Sequence, residues 1–414
     1  MAYPVGHPTS IIGPQLHNRN VTEFEGLIRC TVVPPRSLYL PLLPSRIGGK
    51  LMFVLCFTCA MNKQQTVCKH TRRQRSIKGT WVSIEIQRAQ ELGYEVMRIH
   101  EVWHYPQTTK YDHDSGTGGI FAGYMNTFIG QKLEASGFPP GVVTSEEKKD
   151  YVRRVKEVEG VQLNIDNIKP NPGARAVAKL CLNNLWGKLA QRSNLTKKEF
   201  IREPREFFRI MTSEAYEVTD SYLVNEECVY VSYKHANGYE EPSPHTSPII
   251  ASYVTAHARL LLYSYLEKLN TRVLYYDTDS IIYKSSLGEY EPELSNHLGS
   301  MSDELGGEYI TEFVSNGAKT YAYKTNGGRQ VVKCKGFTLN KLASDQITFD
   351  VMKDMATRDD HITLTVNQGN IIRRQTKRLR IYTEAEERVY QRTFDKRVRR
   401  PDHTSTPYGY IEPW

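Results

Sequence analysis

No aspartate occurs before position 112 of this 414-residue chain. The first quarter therefore offers no aspartate to a metal site. Long apolar runs are missing as well. The longest candidate, Leu51–Cys59, falls short of the ~20 residues that cross a bilayer and ends in cysteine. No membrane partner is expected. The opening MAYPVGHPTS has no basic region followed by an apolar core, so no secretory signal is read there. Cysteine is sparse: seven residues, an odd number, of which three cluster. A disulfide scaffold is excluded, and an intracellular, reducing setting is expected. No repeat recurs at 20–50 residues, which excludes solenoids. What is present is enough chain for two or three domains. The 54 Lys and Arg exceed the 46 Asp and Glu, for a net charge of +8 that suits a polyanionic partner.

Periodicity predicts a mixed chain. Leu27–Val33, Leu51–Phe57 and Glu95–Tyr105 read as strands. Gly79–Glu91 begins as strand and ends as helix. Phe121–Glu134 is helical, and Thr144–Glu159 is a charged helix whose opening Thr-Ser-Glu-Glu suits capping. The turn Lys169–Gly173 precedes a helix to about Gln191. Strand-like runs dominate Glu199–Tyr233, and Ser247-Pro248 opens a long helix to about Leu269. Beyond Lys335 a mixed helical region becomes strongly basic. From Arg373 to Arg400, eleven Lys and Arg face four acids. The residues from Pro401 read as a loose tail.

The most informative stretch is Tyr275-Tyr276-Asp277-Thr278-Asp279-Ser280-Ile281-Ile282-Tyr283. Two short strands flank an aspartate pair in a tight connection. Carboxylates that close repel unless a cation neutralises them. Mg²⁺ bound by one or two carboxylates commonly also holds a substrate phosphate. A solvated Asp-rich turn is the alternative reading.

The helix after Lys169 adds a second pattern. With Arg175 at the origin and about 100° per residue, Lys179 lies near 40°, Asn183 near 80° and Trp186 near 20°. Two cations, an amide and an indole thus share one face, while Val177, Leu180, Cys181 and Leu185 are expected to point toward a core. Neighbouring cations repel unless an anion bridges them, as a triphosphate would. The indole suits stacking on a base. An ordinary solvated face is the alternative.

Together these motifs resemble family B DNA polymerases. Lys179-Leu-Cys-Leu-Asn183-Asn-Leu-Trp186-Gly187 resembles the family's fingers motif, Lys-x-x-x-Asn-Ser-x-Tyr-Gly. Tyr276-Asp277-Thr278-Asp279-Ser280 resembles its palm motif, Tyr-x-Asp-Thr-Asp-Ser. Lys319-Thr320-Tyr321 and Lys333-Cys334-Lys335-Gly336 resemble the elements near the primer terminus, in the same order. Tyr3-Pro-Val-Gly-His-Pro8 resembles the segment after the family's first palm motif. The long insert before the fingers is similar to the protein-primed group, encoded by phages, linear plasmids and self-synthesising DNA transposons. The resemblance covers roughly Tyr3 to Tyr382.

It implies template-directed DNA synthesis by two-metal chemistry. Asp277 and Asp279 would bind Mg²⁺. Lys169, Arg175 and Lys179 would hold the triphosphate, Asn183 and Trp186 the nascent base pair. Lys319, Tyr321, Lys333 and Lys335 would hold the DNA. Primer-template DNA, deoxynucleoside triphosphates and a priming protein would be the partners, and the nucleus the location if the element is eukaryotic. The family has Tyr where Trp186 stands and Ser where Asn184 stands, which bears on nucleotide selection.

The first palm motif, Asp-x-x-Ser-Leu-Tyr-Pro, is absent. Ser37-Leu38-Tyr39-Leu40-Pro41 imitates it, but Pro34 occupies the aspartate position and the segment follows Pro-Val-Gly-His-Pro rather than preceding it. It reads as a decoy. The expectation is therefore a C-terminal portion of a polymerase, without the exonuclease domain and inactive alone. The expected fold is mixed α/β, of α+β type: an antiparallel palm sheet, helical fingers and a basic thumb. The expected divisions are 1–143 (palm segment and insert), 144–191 (fingers), 192–338 (palm), 339–400 (thumb, tracking duplex phosphates) and 401–414 (tail).

Cys56-x-x-Cys59 and Cys68-Lys69-His70 place four soft ligands within 15 residues. A Cys₃His set suits tetrahedral Zn²⁺, and unligated cysteines beside a strand are the alternative. Two other functional classes fit the Asp-x-Asp pair less fully. One is a glycosyltransferase, and the other is a nucleic-acid-binding protein without catalysis.

Overall fold

A computed structural model of the chain describes residues 1–412 apart from 113, 116, 242, 296–298, 359–361 and 376–379. Its largest core forms under a four-stranded antiparallel sheet. The strand order is Thr9–Ile12, Glu95–His104, Gly26–Val33, Ile77–Val82. Gly26–Val33 is central and alternates with period 2, so Ile28, Cys30 and Val32 point inward and are fully buried. Across that face runs the helix Pro248–Leu269, opened by proline in its first turn. Leu262, Tyr263, Leu266 and Leu269 recur at helical spacing and join the same core. The Tyr263 hydroxyl donates to the Leu40 carbonyl at 2.9 Å, so its one polar atom is satisfied.

That helix delivers the chain into the hairpin Val273–Asp277 and Ser280–Tyr283. A second antiparallel sheet, Ile310–Gly317, Thr320–Thr325 and Gln330–Cys334, stands beside the hairpin. Its other face packs on the helices Lys341–Gln346 and Phe349–Thr357, with Phe349, Met352 and Ala322 in the core between them. Three helices, Ala122–Glu134, Ser145–Glu159 and Pro172–Leu189, precede the long helix. Thr144 caps the second with a reciprocal Glu147 bond, and Gly160 ends it in a left-handed conformation. The sheet Lys197–Ile201, Cys228–His235, Tyr216–Asn225 follows. Among the described residues no helix is long and apolar enough to cross a membrane.

Several expectations are corrected. The basic region after Arg373 is not helical. Thr363–Gln375 pairs with Arg380–Gln391 in a long antiparallel hairpin. Its β-branched residues, including Ile371, Ile372, Ile381 and Thr383, favour pleated over helical backbone. Residues 376–379, which include two of the basic positions, lie outside the described set.

The tail is not loose. Ser405–Thr406 pairs with Val398–Arg399, Tyr408 is fully buried in the largest core, and the Leu55 N–H donates to the Tyr408 carbonyl at 2.8 Å. One aromatic anchor, one short ladder and single backbone bonds outweigh its polar composition. Leu51–Phe57 does not continue as a strand either. The strand ends at Phe53 and a short helix, Phe57–Met61, follows. Glu199–Tyr233 contains the helix Pro204–Thr212, whose Ile210 packs under the neighbouring strands. On Pro172–Leu189, Val177 and Leu180 are exposed rather than in a core. The helix buries only a narrow stripe centred on Ala178, with Cys181 and Leu185 beside it, so these two lie beyond its edges.

The long helix yields a contrast. Leu269 is 1% exposed and Leu261 39%. Leu269→Ala is expected to lower unfolding free energy by about 2–5 kcal/mol through transfer and cavity terms. Leu261→Ala is expected to change it by no more than about 0.5 kcal/mol. Urea denaturation checks this, and equal losses would mean that the helix face is misassigned.

Candidate active site

Strand alternation builds the site. Tyr275 and Tyr276 are adjacent, so their side chains leave opposite faces of the hairpin. Tyr276, with its register partner Ile281, packs on the largest core. Burial pushes the Tyr276 phenol above its ordinary range, so it remains a neutral packing group. Tyr275 faces the second sheet, with its ring 4.8 Å from Tyr321 and 6.4 Å from Phe313. The hairpin therefore sits between the largest core and the aromatic face of the second sheet, and its turn projects Asp277 and Asp279 at the seam.

The turn is tight. The Asp279 N–H donates to the Asp277 carbonyl at 2.6 Å, and the Ser280 hydroxyl donates to the same oxygen at 3.2 Å. Thr278 has φ +57°. A β-branched residue in the left-handed region costs roughly 1–2 kcal/mol, because its Cβ crowds the following carbonyl. Strain of this kind persists where surrounding structure over-determines the conformation. Here the paired strands and the two tyrosine anchors supply that constraint.

Across the turn, the Lys319 ammonium lies 3.1 Å from an Asp277 carboxylate oxygen. Lys319 occupies the bend between Ile310–Gly317 and Thr320–Thr325, with φ +59°. Its N–H donates to the Tyr275 hydroxyl at 2.9 Å. The Asp277 hydrogen bond and charge raise the Lys319 pKa, and Asp279 adds a smaller push in the same direction. Both carboxylates are thus near one cation, and Asp279 is open to solvent. Tyr321 pairs in register with Lys333, which places both on the face of Tyr275. The Lys335 N–H donates to the Thr320 hydroxyl at 3.3 Å and its side chain is exposed. The structure so brings together Asp277, Asp279, Lys319, Tyr321 and Lys333.

The other expected residues form a separate surface. Arg175, Lys179, Asn183 and Trp186 lie on one exposed face of Pro172–Leu189. Arg175 donates to the Ser136 hydroxyl at 3.1 Å. The side chains of Lys179 and Asn183 make no hydrogen bond among the described residues. Lys169 is held by its backbone, whose N–H donates to the Glu134 carbonyl at 3.0 Å, and its side chain is exposed. This surface and the hairpin share one support: the Ser247 N–H donates to the Leu189 carbonyl at 2.9 Å, joining the end of one helix to the start of the long helix that leads to Asp277.

Ser37–Pro41 contributes to the largest core rather than to the aspartate turn. Tyr39 stacks under the Arg397 guanidinium at 5.3 Å, and Leu40 is buried. Cys56, Cys59, Cys68 and His70 converge in a different place, with their ligand atoms all within 4.8 Å of one another. Sequence reasoning missed Tyr275 as the anchor of Lys319, and it missed Arg36 and Arg75 around the cysteines. Lone arginines and tyrosines carry no local signal of such a role.

The chain has a DNA polymerase-like fold. It superposes on the solved structure of Phi29 DNA polymerase complexed with primer-template DNA with a TM-score of 0.52 at 13% identity, over 95% of this chain and 55% of that one. The Phi29 DNA polymerase complex with primer-template DNA and incoming nucleotide substrates matches with the same TM-score and coverage at 14% identity. The chain therefore spans about half the length of that polymerase. No known family model matches the sequence, and no curated protein does.

The strained turn generates a test. Thr278→Gly removes the Cβ clash and adds some backbone entropy to the unfolded chain. The net expectation is a gain of about 0.5–1 kcal/mol, read as a higher midpoint in thermal melting. A lower midpoint would show that the threonine side chain stabilises the turn more than its conformation strains it.

Proposed function

We propose that the chain is the palm, fingers and thumb portion of a template-directed DNA polymerase of the protein-primed family B type. The observation that carries this reading is the aspartate turn wedged between two sheets, with Lys319 across it, in a polymerase-like fold. Two adjacent carboxylates on an open turn form a hard oxygen donor set that fits Mg²⁺, which keeps several waters and takes few protein ligands. Asp277 and Asp279 would hold it. When bound, the metal supplies charge stabilisation for in-line attack of a primer 3′-hydroxyl on an α-phosphate.

In this proposal Lys319, Tyr321, Lys333 and Lys335 position the primer strand. Lys179, Arg175 and Lys169 bind the triphosphate of the incoming deoxynucleotide. Asn183 and Trp186 line the nascent base pair. The long basic hairpin tracks duplex phosphates, so DNA affinity falls with salt. A priming protein would supply the first hydroxyl.

The chain carries the second carboxylate motif of the family and lacks the first, Asp-x-x-Ser-Leu-Tyr-Pro. By itself it binds DNA without extending it. The Asp277–Lys319 ion pair favours the related reading of a nucleic-acid-binding protein without catalysis, because Lys319 already neutralises part of the metal site. The fold supports either of these over a glycosyltransferase.

The test has two stages. The 414-residue chain is expected to bind primer-template DNA in anisotropy titrations and to show negligible extension. Robust incorporation by it would sink the proposal. Supplying a segment with the first motif is expected to restore extension, and Asp279→Asn is then expected to reduce it by ~10³-fold or more. No extension after that addition would favour the non-catalytic reading. In the restored enzyme, Lys179→Ala is expected to raise nucleotide KM and leave DNA affinity nearly unchanged. The reverse pattern would place Lys179 on the duplex.

A further inference from the structure

From the convergence of Cys56, Cys59, Cys68 and His70 we infer a structural Zn²⁺ centre that fastens the C-terminal segment Val398–Glu412 to the edge of the largest core. Geometry carries the metal. The His70 Nδ1 lies 3.5 Å from the Cys56 sulfur, 3.3 Å from Cys59 and 3.7 Å from Cys68. With Zn–S near 2.3 Å and Zn–N near 2.0–2.1 Å, tetrahedral angles place such atoms about 3.5 Å apart. Three sulfurs around one imidazole nitrogen at that spacing leave room for an ion at their centre. The Cys59 N–H also donates to the Cys56 sulfur at 3.4 Å, which suits a sulfur carrying negative charge.

The surroundings match a charged sulfur cluster. All three cysteines are buried. The Arg75 side chain is buried beside them, with Arg36 also near it. The Arg75 Nε has no hydrogen-bond partner. A buried guanidinium is costly without counter-charge. Three thiolates on Zn²⁺ carry a net charge of about −1, and Arg75 faces that charge. Arg36 donates to the His70 carbonyl at 3.0 Å and the Cys68 carbonyl at 3.5 Å, fixing the second ligand pair.

The C-terminal segment meets one ligand directly and two of the residues around the cluster. Gly409 packs on Cys56 so closely that a Cβ there would lie 2.5 Å from the Cys56 Cβ, and its φ is +90°. The Ile411 N–H donates to the Arg36 carbonyl at 2.8 Å. The Arg399 N–H donates to Gln65 at 3.1 Å, and Gln65 lies in the loop between the two ligand pairs. That loop has little apolar content of its own, so the ion closes it. Through Val398–Arg399 the segment continues back into the basic hairpin, and the centre thereby limits how far that hairpin departs from the core.

Metal analysis and limited proteolysis of the full chain test this. Protein prepared without chelator is expected to hold one zinc per chain. Co²⁺ substitution is expected to give the thiolate charge-transfer and tetrahedral d–d bands. Cys59→Ser is expected to lose both, and Cys181→Ser to keep both. Stripping zinc from the wild-type chain is expected to speed tryptic cleavage after Arg397 and Arg399 by about tenfold or more, because cleavage follows local opening. Adding Zn²⁺ alone is expected to restore protection, which keeps the test independent of whether the Ser variant folds. No zinc after incubation with excess Zn²⁺, or zinc retained in Cys59→Ser, would overturn the centre. Unchanged cleavage on stripping would overturn the fastening. Neither result bears on DNA synthesis.

Discussion

Everything at the candidate active site depends on two adjacent tyrosines that must face opposite ways. The β pleat sends Tyr276 into the largest core and Tyr275 against the second sheet. A one-residue slip in the hairpin would exchange them, taking Tyr276 out of the largest core and Tyr275 off the second sheet. The register is thus held by packing on both sides. Its consequence is positional: Asp277 and Asp279 are forced to the seam, and the Tyr275 hydroxyl accepts from Lys319 and holds the second sheet's bend over them.

The electrostatics follow from that placement. Two carboxylates at a solvent-open turn need positive charge nearby, and Lys319 supplies part of it. Its side chain is 62% exposed, so the ion pair is solvent-screened and contributes little stability. On the exposed face of Arg175, Lys179, Asn183 and Trp186, Arg175 bonds Ser136, while the Lys179 and Asn183 side chains have no hydrogen-bond partner among the described residues.

The two halves of the molecule are joined by contacts far apart in sequence. Tyr408 enters the core formed mainly by residues 16–102 and 262–273, and Gly409 rests on Cys56. The Cys₃His cluster lies at this closure. An ion there would add stiffness where the loop between its ligands has little hydrophobic surface to bury.

Much of this was legible in the residues. Helix boundaries carried by strong local chemistry were recovered, such as the Thr144 cap and Pro248 at the first turn of the long helix. So was the aspartate hairpin, because short β-branched runs around an Asp pair leave few alternatives. The cysteine–histidine spacing identified the cluster that the fold then brought within 4.8 Å. The failures occurred where pairing partners are distant. The basic hairpin after Thr363 looked helical because each strand lacks its meaning without the other. The residues from Pro401 looked loose because one buried tyrosine cannot be distinguished from an exposed one by composition. Which face of Pro172–Leu189 is buried likewise depended on neighbours absent from that helix's own period. The sequence by itself determined which side chains are candidates for the chemistry and in what order they come. Only the tertiary structure decided which of them meet, because burial and strand register are set by contacts between segments that local pattern does not encode.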